Sequence, residues 1–309
     1  MKQALVTGGA GFIGGHLVER LVAQGVQVRV IDDFSNGLAQ NLQSVRDQIE
    51  VIEASIENFG ALSQAAEGCD TLFHLAAVSN VAQTLQFPAQ AHAVNATGTL
   101  HVLEAARAHG CHVVYSSSAA TYGDTPELPK LESGETAPIS LYGTQKLLGE
   151  HYLRNYGDLF GVTGVALRYF NVYGPRQRPD SPYSGVISIF ADRARRGDAI
   201  TIFGDGQQTR DFVYVADVVA ANIAAARYRH PFRAAINVGT GQEIDLNQLA
   251  QTMIRLTGDR SVLGYGPRRE GDIVRSVANV DRLKTELGVV AQTDLPPGSS
   301  TFSRASASR

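Results

Sequence analysis

The chain contains no tryptophan, only 2 methionines and only 2 cysteines. Cys69 and Cys111 are too few for a disulfide framework, so a reducing compartment, the cytoplasm, is expected. No uninterrupted apolar run approaches the ~20 residues of a membrane-spanning helix, so no membrane association is expected. Met1–Val6 runs straight into glycines, leaving no room for the apolar stretch and cleavage site of a signal peptide. An excess of basic charge is also missing. The 27 Lys and Arg against 30 Asp and Glu give a net charge of -3, with no field to attract a nucleic acid. No metal site is expected. What the chain does have is 31 glycines and an ordinary globular balance of 44% hydrophobic to 18% charged residues. Its 309 residues suggest two units, at about 150 residues each.

In the first half, short apolar runs alternate with longer helical patterns. Residues 4–7, 27–31, 50–52, 71–75 and 112–116 read as buried strands, and 12–24, 61–66 and 91–109 as helices. A helix over 142–160 and a strand over 163–168 continue the rhythm. Such βαβ alternation predicts a doubly wound parallel α/β sheet covered on both faces. The rhythm changes after Gly174-Pro175, where three prolines fall within 175–182. The expected division is therefore a core over 1–174 to which later segments return, and a smaller α/β lobe over 175–294. A tail over 295–309, opening with Pro296-Pro297-Gly298, is expected to fray.

The first strand ends in Thr7-Gly8-Gly9-Ala10-Gly11-Phe12-Ile13-Gly14 and a helix follows at once. Glycines at 8, 11 and 14 let the backbone turn with positive φ and approach a pyrophosphate, which the helix N-terminus favours. The spacing alone would also serve a plain strand-to-helix turn. Asp32, at the end of the second strand, lies near the ~20-residue offset at which a carboxylate meets an adenine ribose. It would accept both ribose hydroxyls and repel a 2′-phosphate, which selects NAD over NADP; a loop-capping acid would occupy the same place.

Tyr142 and Lys146 are four residues apart on one helix face. A tyrosine, with pKa about 10, is a poor base at neutral pH unless a nearby cation favours the phenolate. Lys146 and a nicotinamide cation are the expected sources. Read alone the pair also suits a solvated helix face. Ser116-Ser117-Ser118 ends a strand, where a hydroxyl could meet the tyrosine or serve the turn.

Taken together, these motifs resemble the extended short-chain dehydrogenases/reductases of the NAD-dependent epimerase/dehydratase kind, which act on nucleotide sugars. The resemblance also rests on His74-Leu75-Ala76-Ala77, Asn95-Ala96-Thr97-Gly98, Leu167-Arg168-Tyr169-Phe170-Asn171 and Arg210-Asp211-Phe212-Val213-Tyr214, extending to Arg269-Glu270-Gly271-Asp272. It implies a catalytic Ser118, Tyr142 and Lys146. It places NAD against the glycine loop with Phe12 and Ile13, against Asp32 and Asp33, and against Ser55 and Ile56. Leu75, Ala76, Ala77, Asn95 and Tyr169 complete the implied cofactor contacts. Asn171, Arg210, Arg269 and Asp272 are implied around the nucleotide diphosphate and ribose of the substrate, and Val186, in a stretch similar to neutral-sugar epimerases, is implied as a further substrate contact. Ala54-Ser55-Ile56 stands where relatives carry an acidic residue, weakening one expected adenine contact.

Ala119-Ala120 follows Ser118 where the resembling dehydratases carry an acid and a base for removing water. This favours a UDP-hexose 4-epimerase acting through a 4-keto intermediate, with UDP-glucose and UDP-galactose first. Arg178 could instead pair with the carboxylate of UDP-glucuronate, and a small Ser276 would leave room for UDP-GlcNAc. A nucleotide-sugar dehydratase, a net reductase and a non-catalytic dinucleotide sensor rank below these. The resemblance further implies a homodimer.

Overall fold

The computed structural model describes residues 1–178, 185–229, 235–258, 260–268 and 273–292. Six strands come first: β1 (Gln3–Thr7), β2 (Gln27–Asp32), β3 (Ile49–Glu53), β4 (Thr71–His74), β5 (His112–Ser118) and β6 (Gly164–Tyr169). Then come β7 (Asn171–Tyr173), β8 (Ile200–Phe203), β9 (Thr209–Arg210), β10 (Phe212–Tyr214), β11 (Ile236–Val238), β12 (Ile244–Asp245) and β13 (Leu263–Gly266). Seven strands form one parallel sheet in the order β11-β6-β5-β4-β1-β2-β3. The central strands are β-branched and apolar because both faces are covered, as a parallel sheet requires. β4 reads buried throughout, and β6 likewise. The order reverses between β1 and β4, and ligands of open α/β sheets bind at the carboxyl ends of the strands beside such a point.

The helices are α1 (Phe12–Ala23), α2 (Phe59–Ala66), α3 (Val81–Gln86), α4 (Pro88–His92), α5 (Thr99–His109) and α6 (Leu141–Phe160). The later ones are α7 (Val186–Arg196), α8 (Val215–Ala225), α9 (Leu246–Leu256) and α10 (Asp281–Leu287). One apolar cluster packs Leu17, Val18 and Leu21 of α1 with Val218 and Val219 of α8 against one sheet face. A second packs Leu62, Leu103 and Leu153 of α2, α5 and α6 against the other. A third joins α7, α9, β8 and β10 into the smaller lobe. α8, β11 and α10 return to the sheet, so late sequence completes the early core.

Two departures from the sequence expectation bear on the site. Residues Ala39–Gln48 form a 3-10 helix where no element is expected. The expected helix over 91–109 is interrupted by a π-helical turn at Ala93–Gly98, a geometry frequent at functional sites.

Candidate active site

The carboxyl ends of β1, β2, β4, β5 and β6 enclose a cleft of about 300 Å³. At its floor Gly8 has φ +69, and its carbonyl accepts the Gly11 amide at 3.1 Å. A Cβ on Gly14 would lie 2.2 Å from that same carbonyl oxygen, so only glycine lets α1 start this close to the strand. Gly11 caps α1 with no side-chain hydrogen bond, which leaves the first-turn amides facing the cleft. Phe12 and Ile13 line the same wall.

Asp32 is 7% exposed, and its two oxygens accept the Ala10 and Phe34 amides, each at 2.9 Å. Burial raises its pKa and the two amides work against that shift. Asp33 lines the cleft beside it and accepts from the amide and hydroxyl of Ser35 at 3.0 and 2.6 Å. Ser55 and Ile56 line the far end, joined by Glu57, which sequence reasoning overlooked. Ser55 donates to Glu57 at 3.2 Å, so a carboxylate is present two residues beyond the position that lacks one.

Leu75, Ala76, Ala77 and Tyr169 line the middle of the cleft, and the Tyr169 hydroxyl donates to Asn222 at 2.9 Å. Asn95 does not line it. Its side chain pairs with the Val78 amide and carbonyl at 2.8 and 3.0 Å and donates to Gln145 at 2.7 Å, tying the π turn to α6.

α6 begins under a Ser140 cap on the Gly143 amide and presents Tyr142 and Lys146 to the cleft. Lys146 is 3% exposed; its Nζ donates to the Ser116 carbonyl at 2.7 Å and lies 5.8 Å from the centre of the Tyr142 ring. Burial drives its pKa down to about 7. Burial also pushes Tyr142 up to about 12, opposed by the nearby Ser118 hydroxyl. In the cofactor-free protein, loss of hydration therefore disfavours the phenolate.

Behind this pair His74 is fully enclosed and its pKa is driven down by burial to about 3. Thr99 donates to the Asn95 carbonyl at 2.7 Å, so it accepts from His74 Nε2 at 2.9 Å. His74 Nδ1 then accepts from Thr7 at 2.8 Å.

The expected substrate residues lie apart from this cleft. Asn171 starts β7, opposite Phe212 of β10, and its amide donates to the Asp211 carbonyl at 2.9 Å. Arg210 directs Nη1 to the carbonyls of Thr209 and Ile273, both at 2.8 Å. Ser276 is 7% exposed, two residues from Ala278, whose amide reaches Asp211 at 3.1 Å. Val186 starts α7 and packs on the third cluster, while Arg178 is exposed. Arg269, Asp272 and the proline-rich tail lie outside the described residues.

The residues present fit NAD. The glycine cradle would be filled by a single Cβ, and two carboxylates stand where a ribose belongs. Lys146 is the only Lys or Arg among the described lining residues, so nothing there would neutralise a 2′-phosphate beside Asp32. Fold and site thus define a dinucleotide-binding site with a Ser–Tyr–Lys group at one end.

The family model of the NAD dependent epimerase/dehydratase family matches residues 4–239. A UDP-glucose 4-epimerase of Mycolicibacterium smegmatis is 37% identical over 301 residues, covering 96% of both chains. The crystal structure of UDP-glucose 4-epimerase from Thermotoga maritima with UDP-glucose superposes with a TM-score of 0.89 at 36% identity, covering 95% and 94% of the two chains. The UDP-N-acetylglucosamine 4-epimerase of Methanobrevibacter ruminantium in complex with UDP-N-acetylmuramic acid gives 0.90 at 34% identity, again with 95% and 94% covered. The chain belongs to the NAD dependent epimerase/dehydratase family, and it is an enzyme that uses NAD. Among the described residues no helix is long and apolar enough to cross a membrane.

Proposed function

We propose that the protein interconverts the C4 epimers of a UDP-hexose, with UDP-glucose and UDP-galactose as the first pair. The observation that carries this reading is the start of α6, with Tyr142, packed on the turn that Ser118 caps, where a Cβ on Gly143 would lie 2.5 Å from the Ala120 carbonyl oxygen, in a loop that reads Ser118-Ala119-Ala120. That loop can move one proton at a secondary alcohol but has no further acid and base for removing water.

Tyr142 takes the proton of the 4-hydroxyl, and Ser118 shares the hydrogen bond to that oxygen. Bound NAD supplies the hydride acceptor and donor at C4, together with a positive charge beside Tyr142. Lys146 adds its own charge below the ring and holds the end of β5 through the Ser116 carbonyl. The resulting 4-keto sugar turns over while its diphosphate stays anchored, and Tyr142 returns the proton to the opposite epimer. Arg210, Asn171 and, by resemblance, Arg269 and Asp272 are the anchoring groups; binding energy remote from C4 leaves the hexose able to turn.

The likeness to a UDP-N-acetylglucosamine 4-epimerase and the small Ser276 support a second reading, with a 2-acetamido sugar as substrate. Arg178 supports UDP-glucuronate as a third. A panel of the three UDP-sugars, each scored for its C4 epimer by NMR, separates them. A homodimer fits the apolar side chains that α3 and α6 expose, including Leu85 at 62%, Leu159 at 72% and Phe160 at 48%.

A further inference from the structure

α6 grips the end of β5 through two side chains placed one turn apart: Lys146 donates to the Ser116 carbonyl, and Glu150 accepts from the Ser117 hydroxyl at 2.5 Å. One turn before Lys146, Tyr142 stands at the turn that Ser118 caps, where a Cβ on Gly143 would lie 2.5 Å from the Ala120 carbonyl oxygen. Glu150 also holds Arg168 of β6 in a fork: Nε to Oε1 at 2.9 Å and Nη2 to Oε2 at 2.7 Å. The two side chains are 6% and 5% exposed. Burial works against the charge on Arg168, and the carboxylate more than overcomes it, leaving the pKa raised.

The remaining arm of the guanidinium is unusual. Arg168 Nη1 is the one buried side-chain nitrogen or oxygen without a hydrogen-bond partner among the described residues. The guanidinium carbon lies 4.6 Å from the centre of the Tyr122 ring. Tyr122 closes the short turn Ala119–Thr121 that Ser118 caps, and its hydroxyl is fixed on Asn237 at 2.7 Å. One ion pair therefore touches Ser117 on one side of Ser118 and Tyr122 on the other. A buried ion pair returns little net stability, since desolvation offsets the attraction. Its placement astride the serine is what distinguishes it.

We propose that the Glu150–Arg168 pair is a positioning device that fixes the Ser118 hydroxyl against Tyr142. The proposal rests on the reading of Tyr142 as the base and Ser118 as its partner. Ser118 Oγ already accepts the Ala120 amide at 3.1 Å, which leaves its own proton directed elsewhere. Held by residues 117 and 122, that proton meets the phenolate. Once the grip is lost, the serine drifts and the phenolate loses the hydrogen bond that favours it.

The test uses the NAD-loaded enzyme. Lys146 on the same helix, Ser118 and Tyr115 on β5, and Tyr169 on β6 are the groups that face Tyr142. Glu150 also acts on Tyr115 by its charge, so removing Glu150 alone would change charge and position together. Ser117→Ala keeps both charges, and Glu150→Gln/Arg168→Met removes them as a neutral pair. In each, kcat is expected to fall about tenfold, since small misplacements at a reacting centre are costly. KM and NAD content stay within about twofold of wild type, because the pair touches neither the glycine cradle nor the anchoring residues. The acid limb of the kcat–pH profile moves to higher pH, because a phenolate that loses a hydrogen bond is harder to form. Leu153→Ala, a core truncation on the same helix, is expected to lower Tm without moving that limb.

Wild-type kcat and pH profile in folded Ser117→Ala would overturn the proposal, as would an equal shift of the acid limb in Leu153→Ala. Should the double variant fail to fold, Ser117→Ala decides alone. Tyr142→Phe keeps the two questions apart. Turnover by that variant removes the base reading itself. A dead Tyr142→Phe beside an unaffected Ser117→Ala removes only the positioning role.

Discussion

Replacing Gly14 with alanine sets two effects against each other. Gly14 lies inside α1, where alanine is favoured over glycine by about 1 kcal/mol, so propensity alone predicts a more stable protein. Against this, the new Cβ would lie 2.2 Å from the Gly8 carbonyl oxygen and 2.8 Å from Gly9 Cα, where ordinary contact starts at 3.4 Å. Both atoms are backbone, so the loop must retreat by roughly 1 Å, an overpacking that costs ~1–3 kcal/mol. The overlap wins, and the loop retreats in the segment that meets the pyrophosphate. Since each 1.4 kcal/mol is tenfold in affinity, NAD binding is expected to weaken by about tenfold to a hundredfold. Gly25→Ala is the control: φ there is +76 and nothing lies within 4 Å of the added carbon. It costs about 1–2 kcal/mol of backbone strain and leaves NAD content unchanged. The assay is NAD released on denaturing the purified protein, with calorimetric titration of the stripped form. A Gly14→Ala protein that carries and binds NAD as wild type does would show that the Gly8 carbonyl does not constrain that position.

Tyr142→Phe is expected to lower kcat by about 10²–10⁴-fold with NAD still bound, read from steady-state kinetics and cofactor content. Lys146→Met should abolish turnover yet raise the Tm of the cofactor-free protein, because the buried ammonium is disfavoured by its surroundings. The sign follows from linkage: the folded Lys146 titrates near 7, below its unfolded value of 10.5, so the unfolded chain holds the extra proton between them. This group's contribution to stability therefore improves as pH rises from about 7 towards 10, measurable in cofactor-free wild type and absent in Lys146→Met. For His74 and His112, lowered to about 3 and about 4 from 6.5, stability falls as pH drops below 6.5, which urea titrations at stepped pH would show. Light scattering is expected to give twice the 33.1 kDa chain mass, and a monomer at micromolar concentration would reject the dimer.

The sheet and the glycine cradle were legible because buried parallel strands are short apolar runs and a close backbone approach demands glycine. β1, β2 and β5 end within two residues of the expected positions for that reason. Ala39–Gln48 escaped because only Asn41, Leu42 and Val45 of its ten residues are buried, too few to make a period. The π turn escaped because hydrophobic spacing assumes 3.6 residues per turn. Glu57 was overlooked since an exposed carboxylate outside any motif gives no signal. The direction of the Tyr142 shift depends on how completely the folded chain strips water from the ring, and no residue spacing carries that. Glu150 and Arg168, on different elements, become partners only when α6 lies over β5 and β6.

The most direct measurement supplies UDP-glucose deuterated at C4 to the NAD-loaded protein without added reductant and follows the products by NMR. The expected products are UDP-galactose at equilibrium with UDP-glucose, the deuterium still on C4 and the 6-hydroxyl intact. A product that has lost water, or NADH released in step with sugar consumed, would contradict C4 epimerisation.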